Sequence, residues 1–167
     1  MDEVTMELCL KQEAGFEGFK NEPYCDQCGH AVRKFPRGWL CDCDDAGKPP
    51  GNLTIGYGRN LYDRGITMTE GEFLLRAEVD DAIQYLSGAP WWKGLSGARQ
   101  ACLIGMFRNL GQPKFLGFKK MLEDVGNQDY QFAAQEILES DAAKELADRY
   151  YYYARLMRTG RFGEDEA

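Results

Sequence analysis

A chain of 167 residues with 44% apolar and 13% aromatic content suits one globular domain, or two small lobes sharing a core. Its net charge of −7 argues against nucleic-acid binding as a main role, which needs clustered Lys and Arg to displace counterions from phosphates. No segment approaches the roughly 18 uncharged apolar residues of a membrane span, and the opening MDEVTMELCLKQEAGFEGF has no basic start followed by an apolar run. The expectation is therefore a chain without signal or anchor, made in the cytoplasm.

In chain order, Val4, Leu8, Leu10 and Ala14 give a loose helical pattern over residues 4–16, which Gly15 and Gly18 close. Glu17 then falls at a helix exit. Gly, Pro, Cys and aromatic residues dominate the next forty or so positions, and LTIGYGRNL at 53–61 alternates as a short strand, so residues 18–62 are expected to form a small β region. Gly56 and Gly58 suit positive φ or close packing there better than phosphate binding. Thr67 and Thr69 each precede a glutamate by three residues (Glu70, Glu72), the spacing of a capping box, and open a long helix over about 67–87.

Ala98, Ala101, Cys102, Ile104 and Met106 mark a buried helix from Gly97 to Leu110. Shorter helices are expected at about 115–125 and 130–140, and a last one over 142–158 with Gly160 as its C-cap. Trp91, Trp92 and the run Tyr150 to Tyr153 read as core or packing residues, as do the lone cysteines Cys9 and Cys102. The sum is an α+β protein: a helix over 4–16, a β unit, a long helix, and a helical region over 88–163 packed with that first helix.

Glu17, Asp26 and Thr54 are the first candidates for chemistry. Glycoside cleavage commonly uses one carboxylic acid to protonate the leaving oxygen and a second carboxylate across the bond. A glutamate beside Phe16 and Phe19 can have its pKa raised by desolvation, as a general acid requires. Taken alone this signal is weak, because acidic residues make up 27 of the 167 and such a pair arises by chance.

Several blocks in order give it weight. EGFKNEPYCD followed by LTIGYGRNL resembles the glutamate, aspartate and threonine signature of phage-type lysozymes, the endolysins of glycoside hydrolase family 24. GITMTEGEFLLRAEVDDAIQYL is similar to that family's lobe-linking helix, ARQACLIGMFRNLGQPKFLGFKKML to its buried central helix and the next, and DRYYYYARLMRTGRF to its last helix. The resemblance covers nearly the whole chain except about residues 27–50.

It implies a two-lobed lysozyme-like fold, a small β lobe and a larger helical lobe joined by a long helix. It also implies a muramidase that hydrolyses the β-1,4 bond between N-acetylmuramic acid and N-acetylglucosamine in peptidoglycan. Residue by residue, Glu17 would be the general acid, Asp26 the carboxylate assisting water on the opposite face, and Thr54 the hydroxyl positioning that water, an arrangement suited to inversion. Arg149 would be the arginine that pairs with the catalytic glutamate, and Asn109 a cleft-lining amide. Arg59 is expected to form a structural pair with Glu78. By the same resemblance the enzyme would be a monomer, waiting in the host cytoplasm until a holin-like partner releases it to the periplasm and cell wall.

The family usually spaces its aspartate and threonine six apart, whereas Asp26 and Thr54 are separated by an insertion over about 25–51. It carries Cys25-x-x-Cys28 and Cys41-x-Cys43, four thiolates suited to a structural Zn²⁺, with His30 able to replace one. Two disulfides are the alternative, since the periplasm is oxidising; zinc is favoured because folding first occurs where thiols stay reduced. DDAGK at 44–48 also resembles the family's turn after the aspartate, which makes Asp44 the alternative to Asp26. Two rival readings stand beside hydrolysis: a lytic transglycosylase, which needs a glutamate but neither Asp26 nor Thr54, and a non-catalytic wall-binding or zinc-knuckle module.

Overall fold

The computed structural model describes the backbone at residues 6, 10–12, 14–15, 18–35, 38–40 and 51–163, with side chains at these positions except 33–35, 38–40 and 62. The chain divides into two compact units, Met1–Gly71 and Glu72–Ala167. It is an α+β protein, with the strands in the first unit and most of the helices in the second.

In the first unit, positions 6, 10–12 and 14–15 are helical. Among the described residues, short strands follow: β1 (Lys20–Cys25), β2 (Arg33–Phe35), β3 (Gly38–Leu40), β4 (Leu53–Gly56) and β5 (Arg59–Asn60). The antiparallel sheet has the order β1-β4-β5, while β2 and β3 pair separately as a hairpin inside the insertion. The register sets Tyr24 opposite Thr54 and Cys25 opposite Leu53, so the residues flanking the insertion meet across one ladder. Between β4 and β5 the chain reverses over Tyr57 and Gly58. Gly56 (φ 65) and Gly58 (φ 72) are left-handed, as a tight reversal between twisted strands demands.

A short helix α1 (Leu61–Arg64) leads to α2 (Met68–Leu86), which matches the expected long helix. Its capping box forms at Thr67: the Glu70 amide donates to Thr67 Oγ1 (3.3 Å), and the Thr67 amide donates to Glu70 Oε2 (2.7 Å). This also corrects the expected Arg59–Glu78 pair. Arg59 bonds Glu70 Oε1 (2.5 Å) and the Gly65 carbonyl (2.8 Å), whereas Glu78 pairs with Arg108 (2.7 Å). Glu70 lies in the first helical turn and is already held by Thr67; Glu78 sits about 12 Å further along the axis, at 1.5 Å per residue.

The second unit is built around α3 (Gly97–Leu110), capped by Ser96, whose hydroxyl accepts from the Arg99 amide. Ala98, Cys102, Leu103 and Met106 face a core shared with Phe115, Met121, Val125, Ile137, Tyr150 and Met157. Cys102 is fully buried, as expected of a core filler, and Ala101 and Ile104 only partly so.

The remaining helices are α4 (Gln112–Phe115), α5 (Lys119–Gly126), α6 (Tyr130–Leu138), α7 (Asp141–Glu145) and α8 (Ala147–Thr159). The last expected helix is thus two, interrupted where Leu146 leaves the helical region (φ −130, ψ 55). Gly160 (φ 68) ends α8 as the expected left-handed cap. The tyrosine run divides: Tyr150 is buried and Tyr153 half-buried, but Tyr151 and Tyr152 are exposed.

Candidate functional site

In the β unit the residues cluster on Asn52. Asp26 follows the last residue of β1 and opens a turn in which the Gly29 amide donates to the Cys25 carbonyl (2.8 Å) and the Cys25 amide to the His30 carbonyl (3.1 Å). The Asp26 amide donates to the Asn52 carbonyl (3.1 Å). In return, the Asn52 amide donates to Asp26 Oδ1 (2.7 Å) and its side-chain Nδ2 to Oδ2 (3.0 Å). The Thr54 hydroxyl donates to the same Asn52 carbonyl (3.2 Å). One residue therefore orients both Asp26 and Thr54.

Their environments differ. Asp26 is exposed, and a carboxylate with one bond on each oxygen retains lone pairs for water. Thr54 is 2% exposed, so its hydroxyl works on the Asn52 carbonyl and not at the surface. Gly51 makes the approach possible: a Cβ there would lie 2.4 Å from Cys25 Sγ, 2.6 Å from Asp26 Oδ1 and 2.8 Å from Gln27 Cβ. Sequence reasoning named Asp26 and Thr54 but missed Asn52 and Gly51. A Gly-Asn pair just before a strand was the available signal.

Glu17, Cys41, Cys43, Asp44 and Cys9 lie outside the described residues. Cys25 is buried and Cys28 half-buried, at the two ends of the Asp26 turn. Among the described residues there is no disulfide and no group of three or more metal-ligating side chains. Two cysteines bracketing a tight turn present soft sulfur donors of the kind Zn²⁺ takes.

In the helical unit, Gly105, Arg108 and Asn109 of α3 and Arg149 and Tyr153 of α8 line a polar cavity of about 390 Å³. Helical spacing brings them together: i, i+3 and i+4 on α3, and i, i+4 on α8. The buried Tyr150 donates its hydroxyl to Asn109 Oδ1 (2.9 Å), leaving the amide hydrogens of Asn109 for another acceptor. The Tyr153 ring lies over Gly105, where a Cβ would be 2.6 Å from its Cζ and Oη.

Burial pushes the Tyr150 phenol up to about 12 and raises that of Tyr153, with Arg149 opposing both shifts. Both hydroxyls accordingly remain donors at neutral pH. Arg108 is paired with Glu78, and Arg149 has no ion-pair partner among the described residues. The cavity is rich in donors and suits a carboxylate or a carbonyl-bearing ligand. Arg149 and Asn109, both named from sequence, line one cavity, which Arg108 and Tyr153 also line.

No model of a known protein family matches the chain, and no curated protein matches it.

Proposed function

We propose that the protein is a muramidase of the endolysin type, hydrolysing the β-1,4 bond between N-acetylmuramic acid and N-acetylglucosamine in peptidoglycan. The observation that best supports this reading is the convergence of Asp26 and Thr54 on Asn52 in spite of the insertion between them. The aspartate and threonine of the resembled signature are thereby neighbours in space, though 28 residues apart in sequence.

In this reading Glu17 is the general acid and Asp26 assists water on the opposite face. Thr54 contributes by holding Asn52. Arg149 and Asn109 support the substrate or the glutamate, and the fold is the two-lobed lysozyme fold. A zinc ion on Cys25, Cys28, Cys41 and Cys43 would be structural, since four protein ligands leave no position for a reacting water. The enzyme is a monomer that acts on the cell wall after release from the host cytoplasm by a holin-like partner.

One feature favours a second reading, a lytic transglycosylase: the inward bond of Thr54 fits a route that needs no threonine-held water. The test is turbidity loss of outer-membrane-permeabilised Gram-negative cells with wild type and Glu17→Gln, both folded and loaded with zinc, followed by mass spectrometry of the products. Lysis by wild type alone with reducing ends is the expected result. Anhydro-muramic products would replace hydrolysis by transglycosylation. No lysis from folded wild type would overturn both and leave a wall-binding module.

A further inference from the structure

The helical unit holds a second cavity, of about 620 Å³, that shares no residue with the Arg108 and Arg149 pocket. Its volume is within the roughly 300–1,000 Å³ of small-molecule sites. Trp91, Glu123, Gly126, Asn127, Gln128 and Tyr130 are among its lining residues. They come from the connection after α2, the end of α5 and the start of α6.

The two aromatic rings each have a packing neighbour. Trp91 lies against Gly126, where an added Cβ would touch its Cδ1 at 3.4 Å. The Tyr130 ring carries the Arg99 guanidinium 3.6 Å from its centroid. The two amides stand on a closed turn: the Asn127 amide donates to the Glu123 carbonyl (2.9 Å), Gln128 to Val125 (3.1 Å) and Asp129 to Asp124 (2.8 Å). Gln128 has φ 64 and is the one non-glycine residue with positive φ among the described residues. Such a backbone persists only where its surroundings over-determine it.

The chemistry of the lining narrows the ligand. Among the described residues the lining has one carboxylate and no Lys or Arg, the Arg99 guanidinium being engaged by the Tyr130 ring, which disfavours an anion. The Trp91 ring offers an apolar platform, while a carboxylate and two carboxamides offer acceptors and donors in the mixed order that vicinal hydroxyls require. A pyranose ring presents both features, apolar C–H faces and a rim of hydroxyls. We propose that this cavity is a saccharide-binding site for an uncharged pyranose unit of a glycan, with the sugar face on Trp91 and its hydroxyls on Glu123, Asn127 and Gln128. It would hold a glycan whether or not the chain cleaves one, and so stands independently of the muramidase reading.

The test is a titration of the full ¹⁵N-labelled chain with N-acetylglucosamine tetramer and, separately, maltotetraose. The readouts are the Trp91 indole and the Gly126 and Gln128 amide signals. Saturable shifts at these three sites with either sugar, at concentrations up to about 10 mM, are expected for a weak single-ring site. Gln128→Gly removes one amide while glycine accepts φ 64, so the fold is kept and the affinity read from Trp91 and Gly126 should fall about 3- to 10-fold. Trp91→Ala should abolish the Gly126 shift. Absence of shifts with both sugars, or unchanged affinity in a folded Gln128→Gly variant, would overturn the proposal.

Discussion

Replacing Gly51 by alanine is the sharpest perturbation of the β-unit cluster. The new Cβ would stand 2.4 Å from Cys25 Sγ, 2.6 Å from Asp26 Oδ1 and 2.8 Å from Gln27 Cβ, where ordinary contact begins at 3.4 Å. Cys25 is 1% exposed at the end of β1 and cannot swing aside, so the segment 25–27 must move as a whole. Overpacking of this kind costs about 1–3 kcal/mol. The Asn52 bonds to Asp26 stretch with it, but both residues are exposed and water replaces what is lost, adding at most about 1 kcal/mol. A loss of about 1–4 kcal/mol corresponds to a fall of roughly 2–16 °C in Tm for a chain of this length. Thermal unfolding with NMR of the Asn52 side-chain amide reads both effects: the midpoint should drop and the amide should move towards its solvent-exposed position. Under the muramidase reading, lysis falls in step. An alanine variant with unchanged midpoint and unchanged Asn52 signal would show that Gly51 does not hold Asp26 in place.

Thr67→Ala removes the cap of α2 and should cost about 0.5–2 kcal/mol in urea unfolding, with Thr67→Ser recovering most of it. Glu70 sets a pH dependence: the backbone bond from Thr67, then the Thr67 hydroxyl and the Arg59 charge, hold its carboxyl below the ordinary value of 4.5. Because the folded pKa is the lower one, the stabilisation is present above about 4.5 and is lost as pH falls through the folded value. Wild type should therefore lose more stability on acidification through that window than Glu70→Gln, and parallel stability curves would contradict the coupling. Tyr150→Phe deletes the bond to Asn109 and should destabilise by about 0.5–1.5 kcal/mol, measured by denaturant midpoint. Gln128→Gly should leave stability unchanged or raise it by up to about 1 kcal/mol, since relief of the left-handed strain opposes the entropy of glycine; a large loss would make Gln128 a structural residue.

What was legible in the sequence was what depends on local spacing. The Thr67 box, the Gly160 cap and the central helix all follow from residues within one or two turns of each other, and the structure has them where expected. Partner choice was not legible. Arg59 had three glutamates on α2 to choose from, and the decision came from a capping box that had already fixed Glu70. The break at Leu146 carries no Pro or Gly, so periodicity alone ran one helix through it. In the site, Asp26 and Thr54 were nameable, but the register of β1 on β4, which makes Asn52 their common partner, is a tertiary fact that the insertion hides.

The two candidate clusters share a construction. In each, an exposed polar side chain is oriented by a residue far along the chain: Asp26 by Asn52, and Asn109 by Tyr150. In each, a glycine permits the closeness, Gly51 against the segment 25–27 and Gly105 beneath the Tyr153 ring. Gly105 sits inside α3, where glycine costs about 1 kcal/mol against alanine, and no positive φ calls for it. An isolated helix would favour alanine there, but in this fold an added Cβ would overlap the Tyr153 ring at 2.6 Å. What alanine would displace is the Tyr153 ring, and with it one wall of the cavity holding Arg108, Asn109 and Arg149. Exposed polar side chains fixed before a ligand arrives lose less rotamer freedom on binding, up to about 2 kcal/mol for each long one. Glycine at 105 is thus accounted for by the close approach of the Tyr153 ring, which is also one wall of the cavity.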